Sequence, residues 1–118
     1  MTKPRFAIIG SRDYPSLEDV DRLIDELPLD VVVVSGGATA VDRRAAQRAR
    51  ARGIEVEEIP LDKTSAGQGS GPMRSFQITL TAAKVYAFWD GRSRGTKHDI
   101  DLALEHHKET HVKFPEPA

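Results

Sequence analysis

Three short polar turns carry the residues best suited to chemistry. Gly10-Ser11-Arg12, Ser35-Gly36-Gly37-Ala38-Thr39 and the run from Gly91 to Thr96 each combine glycine with hydroxyl or guanidinium side chains. Without a Cβ, a glycine lets backbone N–H groups approach an anion closely. A helix start adds unpaired N–H donors and the positive end of the helix dipole. Ser11, Ser35, Thr39 and Thr96 supply hydroxyl donors, and Gly95 sits beside Thr96 at a helix start. Arg12 supplies a planar fork that fits phosphate or carboxylate. The implied chemistry is recognition of an anion, phosphate first. No turn has the spacing G-x-x-x-x-G-K-[ST] or G-x-G-x-x-G, so neither a P-loop ATPase nor a standard NAD dehydrogenase is indicated.

The acidic and aromatic residues divide between scaffold and site. Asp42 falls in the first turn of a helix, where a carboxylate complements the dipole. It could equally orient the glycine loop or accept a ribose hydroxyl. Asp99 and Asp101 open the last helix and, being two apart, do not share a face. His98, His106, His107 and His111 give no i, i+4 pair within one helix, since His111 belongs to the strand that follows. No metal site and no cofactor are expected. Phe88 and Trp89 end a strand; one could stack on a base, but the core is the expected role of each.

Something must bring those turns together, and the hydrophobic pattern says what. Apolar segments at Arg5–Ile9, Val31–Val34, Ile54–Ile59 and Lys84–Trp89, with a weaker one at His111–Phe114, read as strands. The unbroken Val31-Val32-Val33-Val34 run is what a strand covered on both faces requires. Between them lie helical stripes. Leu17, Val20, Ile24 and Leu27 form the first, with Ser16 as N-cap. Val41, Ala45 and Ala49 form a narrow second, closed by Gly53. Met73, Phe76, Leu80 and Ala83 form a third behind Pro72, and Ile100, Ala103, Leu104 and His107 a fourth.

Strict alternation of strand and helix predicts an α/β fold: a Rossmann-like three-layer sandwich around a five-stranded, mostly parallel sheet of order 3-2-1-4-5. In that order the winding reverses between strands 1 and 4, and ligands of such sheets bind at that switch point, beyond the carboxyl ends of the strands. All three turns then share one edge. The long loop Leu61–Gly71, with its glycines and serines, is placed to act as a lid.

At 118 residues the chain fits one domain, 1–118. A net charge of −1 gives no global field toward nucleic acid or an anionic membrane, so bulk nucleic-acid binding is not expected. The absence of cysteine excludes disulfides, thiolate metal sites and a cysteine nucleophile. No signal-peptide hydrophobic region or membrane-length apolar run is present, so a cytoplasmic location is expected.

Taken in order, Gly10-Ser11-Arg12-Asp13, Ser35-Gly36-Gly37-Ala38 with Val41-Asp42, Gly71-Pro72-Met73-Arg74 and Gly95-Thr96 resemble the SLOG superfamily, most closely its small YspA/YpsA-related branch. The resemblance spans nearly the whole chain. It implies a pocket for a nucleotide or nucleotide-derived ligand, lined by Gly10, Ser11, Arg12, Gly36, Gly37, Asp42, Arg74, Gly95 and Thr96. A sensing or sequestering module, paired as a homodimer, is the leading expectation; Phe76, Trp89 and Phe114 are the candidate contacts. Two relatives define alternatives. The LOG enzymes hydrolyse the N-glycosidic bond of nucleoside monophosphates through P-G-G-x-G-T-x-x-E and an upstream arginine. Here Gly95-Thr96-Lys97-His98-Asp99 and Arg74 take those places, making Arg74 and Asp99 the candidate catalytic pair. Asp99 is one methylene shorter than the family's glutamate, Asp90-Gly91-Arg92-Ser93-Arg94 stands in place of P-G-G, and Ser75 stands where an asparagine is common. The DNA-processing protein A family carries a similar G-S-R and S-G-G-A pattern and implies, third, a single-stranded DNA-binding domain.

Overall fold

Parallel pairing of β1 (Arg5–Gly10) with both β2 (Val32–Ser35) and β4 (Lys84–Phe88) puts the first strand at the centre of the sheet. In this computed structural model, which describes residues 2–37, 39–59 and 77–115, β3 (Glu55–Glu58) extends the sheet beyond β2 and β5 (Glu109–Lys113) extends it beyond β4. The order is β3-β2-β1-β4-β5, as expected, and every pairing is parallel rather than mostly so.

Strand side chains alternate between two faces. Phe6, Ile8, Val31, Val33, Ile54 and Phe88 meet α1 (Leu17–Glu26) and α2 (Ala40–Ala51) on one side. Ala7, Ile9, Val32, Val34, Val85 and Ala87 meet α3, described over 77–81, and α4 (Arg94–Glu105) on the other. This is the three-layer arrangement. Small residues set its thickness on the α2 side: Ala45 and Ala49 are wholly buried, which lets the helix axis come close to the strands.

Several elements differ from the sequence expectation in extent. Ser16 occupies the N-cap of α1, but its side chain makes no capping hydrogen bond. The buried stripe of α3 is Ile78, Thr79 and Ala82, whereas Leu80 and Ala83 are exposed. Helix α4 stops at Glu105, so His107 is not on its stripe, and Leu104 is 56% exposed. The last strand begins at Glu109 because its backbone pairs with β4 from Lys84 onward, whatever its side chains. Met73, Phe76 and the Leu61–Gly71 loop lie outside the described residues.

Two helix ends close in the same way. After α2, Gly53 (φ 80°) donates to Arg50 O at 3.0 Å and Ile54 donates to Ala49 O at 2.9 Å. After α4, His107 (φ 57°) donates to Leu104 O at 3.1 Å and Lys108 donates to Ala103 O at 2.9 Å. Both are left-handed caps that satisfy carbonyls orphaned at the helix end. Only the first uses the residue that adopts this conformation without strain.

Candidate functional site

The carboxyl ends of β1, β2 and β4 each run into a polar turn and then a helix start. Between them opens a cleft of about 490 Å³. Its walls include Gly10 and Arg12 after β1, Gly36, Thr39 and Asp42 after β2, and Gly95, Thr96 and Asp99 in the first turns of α4. The three turns therefore face one space at the switch point. Ile9 of β1, Ile78 and Thr79 of α3, and Ser93 and His98 also line it.

Each turn is held by side chains of its own. Thr39 caps α2: its Oγ1 accepts from Asp42 N at 3.1 Å, while the Asp42 carboxylate accepts from Thr39 N at 3.2 Å. This reciprocal pair satisfies two donors at once. Ser93 caps α4, accepting from Thr96 N at 3.3 Å. Asp90 Oδ1 accepts from the backbone N–H groups of Arg92 and Ser93, each at 2.8 Å, and so shapes the turn before the helix. Those hydrogen bonds, from Ser93 first and then Arg92, hold its carboxyl below the ordinary carboxylate range.

Ser11 joins the first turn to the third. It is 1% exposed; its Oγ donates to Thr96 Oγ1 at 3.2 Å and accepts from Asp90 N at 3.1 Å, and its backbone N–H donates to Phe88 O at 2.9 Å. Ser35 does the same inside the second turn. Its buried Oγ donates to Asp42 O and accepts from Gly37 N, both at 3.3 Å. Both hydroxyls, expected to face the ligand, already have protein partners; they position the backbone around the cleft. Gly37, exposed and at φ 71°, turns the chain behind the lining rather than within it. Arg74 and Ser75 lie outside the described residues.

Gly10 has a packing reason for its identity. A Cβ there would stand 2.5 Å from Val41 Cγ1, so only glycine lets the start of α2 close on the end of β1. Gly95 is the opposite case: a Cβ built on it meets no atom within 4 Å.

The guanidinium groups sort by location. Arg5, Arg22, Arg44, Arg48 and Arg50 each pair with a carboxylate, and Arg52 donates to the carbonyls of Ile24 and Leu27. Arg12, Arg43, Arg92 and Arg94 have no side-chain partner among the described residues. All four lie in the turns or first helical turns at the carboxyl edge. Sequence spacing singled out Arg12 alone, since an arginine's pairing is not written in its neighbours. Ser93 was legible in principle, as a serine three residues before Thr96 at a helix start. Thr79 carried no such mark. Among the described residues no group of three or more potential metal ligands forms.

The fold and the switch-point cleft together define a doubly wound, Rossmann-like α/β domain. Among solved structures, DNA processing protein A from Streptococcus pneumoniae shares this fold with a TM-score of 0.79 at 20% identity, over 93% of this chain and 50% of that one. DNA processing protein A from Helicobacter pylori, described for its single-stranded DNA binding mode, gives 0.76 at 23% identity, over 94% and 65%. The chain thus spans between half and two-thirds of the proteins it resembles. No protein-family model matches the sequence, and comparison with curated proteins gives no match.

Proposed function

We propose that the switch-point cleft binds a nucleotide or nucleotide-derived small molecule, phosphate first, as a sensing or sequestering module of the SLOG type. One observation carries the reading. The arginines left without a partner among the described residues collect at the carboxyl edge, and Arg12 lines the cleft itself. The Arg12 guanidinium and the two helix starts offset the Asp42 and Asp99 carboxylates in the same walls and favour a phosphate over a neutral group at the Arg12 end. The likeness to DNA processing protein A is one of fold alone. Arg74, from the adjoining segment, is assigned to the same phosphate. The reading carries with it a single domain, a cytoplasmic setting and a homodimer in which Trp89 and Phe114, tilted against each other at 5.5 Å, contribute the contact. No helix among the described residues is long and apolar enough to cross a membrane.

Thermal unfolding with a panel of nucleoside mono-, di- and triphosphates tests it. A ligand present at 100 times its dissociation constant should stabilise the fold by about 2.7 kcal/mol. Loss of the Arg12 guanidinium removes a charge-assisted hydrogen bond of about 1.5–3 kcal/mol, so Arg12→Ala should weaken binding roughly ten- to a hundred-fold at unchanged melting temperature. If no member of the panel stabilises the protein, the reading is wrong.

A second reading, hydrolysis of a nucleoside monophosphate to free base, draws on the position of Asp99 in the cleft wall beside Gly95 and Thr96. There Asp99 would hold ribose hydroxyls or the positive charge that builds as the base leaves, while Arg74 fixes the phosphate. Base release that disappears in both Asp99→Asn and Arg74→Ala would establish it. A third, single-stranded DNA binding, draws on the Helicobacter pylori neighbour. It predicts affinity that rises with strand length and falls steeply with salt.

A further inference from the structure

The cleft has a neighbour. A second cavity of about 540 Å³ adjoins it, and Arg12 and Ser93 line both. Each compartment is of a size ordinary for a small-molecule site, about 300–1,000 Å³. Their chemistry differs. The first holds the capped starts of α2 and α4 and a glycine from each of the three turns. The second is lined by the acidic Asp13 and Asp90, the basic Arg12 and Arg92, and the rings of Pro15 and Pro115. It contains no helix start of its own apart from the Ser93 cap that it shares with the first. Its two proline rings are rigid apolar surface, which a flat ring or a sugar can contact without ordering flexible side chains.

Arg12 stands at the junction. It is exposed and has no protein partner among the described residues, so its fork is available to whatever passes from one compartment to the other. Taking the first cleft as a phosphate-binding nucleotide site, we infer that the ligand has two nucleoside-like halves joined through phosphate. The linking phosphate sits at Arg12, one half fills the glycine-turn cleft, and the other lies between Pro15 and Pro115. The occupant is a small dinucleoside phosphate rather than a mononucleotide.

Calorimetric titration of the full chain with AMP, with the dinucleoside monophosphate ApA, with the pyrophosphate-linked AppA and with a deoxythymidine decanucleotide tests this. ApA or AppA should bind at least tenfold more tightly than AMP, and the better of the two identifies the linker. The double variant Pro15→Ala, Pro115→Ala should lose most of that advantage while its affinity for AMP stays within twofold. Pro15 is exposed, and the melting temperature of the variant checks that its fold is intact. Equal affinity for AMP and both dinucleosides, or equal weakening of AMP and dinucleoside in the variant, would overturn the inference and leave the first cleft standing. Affinity that climbs again from ApA to the decanucleotide would overturn it in favour of a strand. Absence of binding by all of these ligands would bring down the nucleotide reading along with it.

Discussion

Gly10 and Gly95 both line the cleft, and a methyl group separates their purposes. At Gly10 a Cβ meets the Val41 side chain at 2.5 Å, so Gly10→Ala forces strand and helix apart. Overpacking of this kind costs about 1–3 kcal/mol, to be read from the shift in urea midpoint. At Gly95 a Cβ meets nothing within 4 Å, so Gly95→Ala should leave the midpoint unchanged or slightly raised. Nucleotide affinity should nevertheless fall in Gly95→Ala, because the added methyl enters the space where an anion would approach the start of α4. Equal nucleotide affinity in wild type and Gly95→Ala would show that this helix start is not a contact. The sequence presents the two glycines alike, each in a polar turn after a strand. What distinguishes them is the distance to another element, which no local pattern encodes.

At the scale of elements, the caps decide how well the turns are held. Thr39→Ala removes one half of the reciprocal pair with Asp42 and should cost about 1 kcal/mol. It should also loosen the glycine loop, so nucleotide affinity should drop further than Asp42→Asn alone produces; titration of both variants checks this. The end of α4 offers the reverse opportunity. His107 holds a left-handed conformation that costs a non-glycine residue about 1–2 kcal/mol. His107→Gly should recover on the order of 1 kcal/mol, visible as a higher urea midpoint with nucleotide binding unchanged. The sequence made the end of α2 legible through Gly53, whereas Thr39, read as a ligand donor, proves to be the cap at its start. It misplaced the end of α4 because a histidine filled the place where glycine normally announces the stop. It misplaced the α3 stripe because Leu80 outranks Ile78 and Ala82 in apolar bulk, while burial follows which face the sheet presents.

For the whole molecule, the order of strands was legible from alternation alone, and the shared edge of the three turns followed from it. The pairing of charges was not. Arg44 meets Asp21 and Arg48 meets Asp25 through two hydrogen bonds each, binding α1 to α2, and Arg5 meets Glu57 across the sheet. These guanidiniums hold Asp21, Asp25 and Glu57 below their ordinary carboxyl range. A carboxyl held lower in the folded than in the unfolded chain contributes stability above the unfolded value and loses it as pH falls through the folded one. The melting temperature should therefore hold steady from neutral pH to about 5 and decline below about 4. Because these pairs are partly exposed, the decline should be shallower in high salt. A melting temperature that rose on acidification would contradict the assigned pairs. The central strand has a further consequence. Phe6 finds one neighbour in Val33 but the other only in Lys84, far along the chain. During synthesis one edge of β1 must wait, unpaired, until the ribosome has delivered most of the polypeptide. Nascent chains halted before Lys84 should therefore clump through that bare edge, whereas those carried past β4 should remain dispersed.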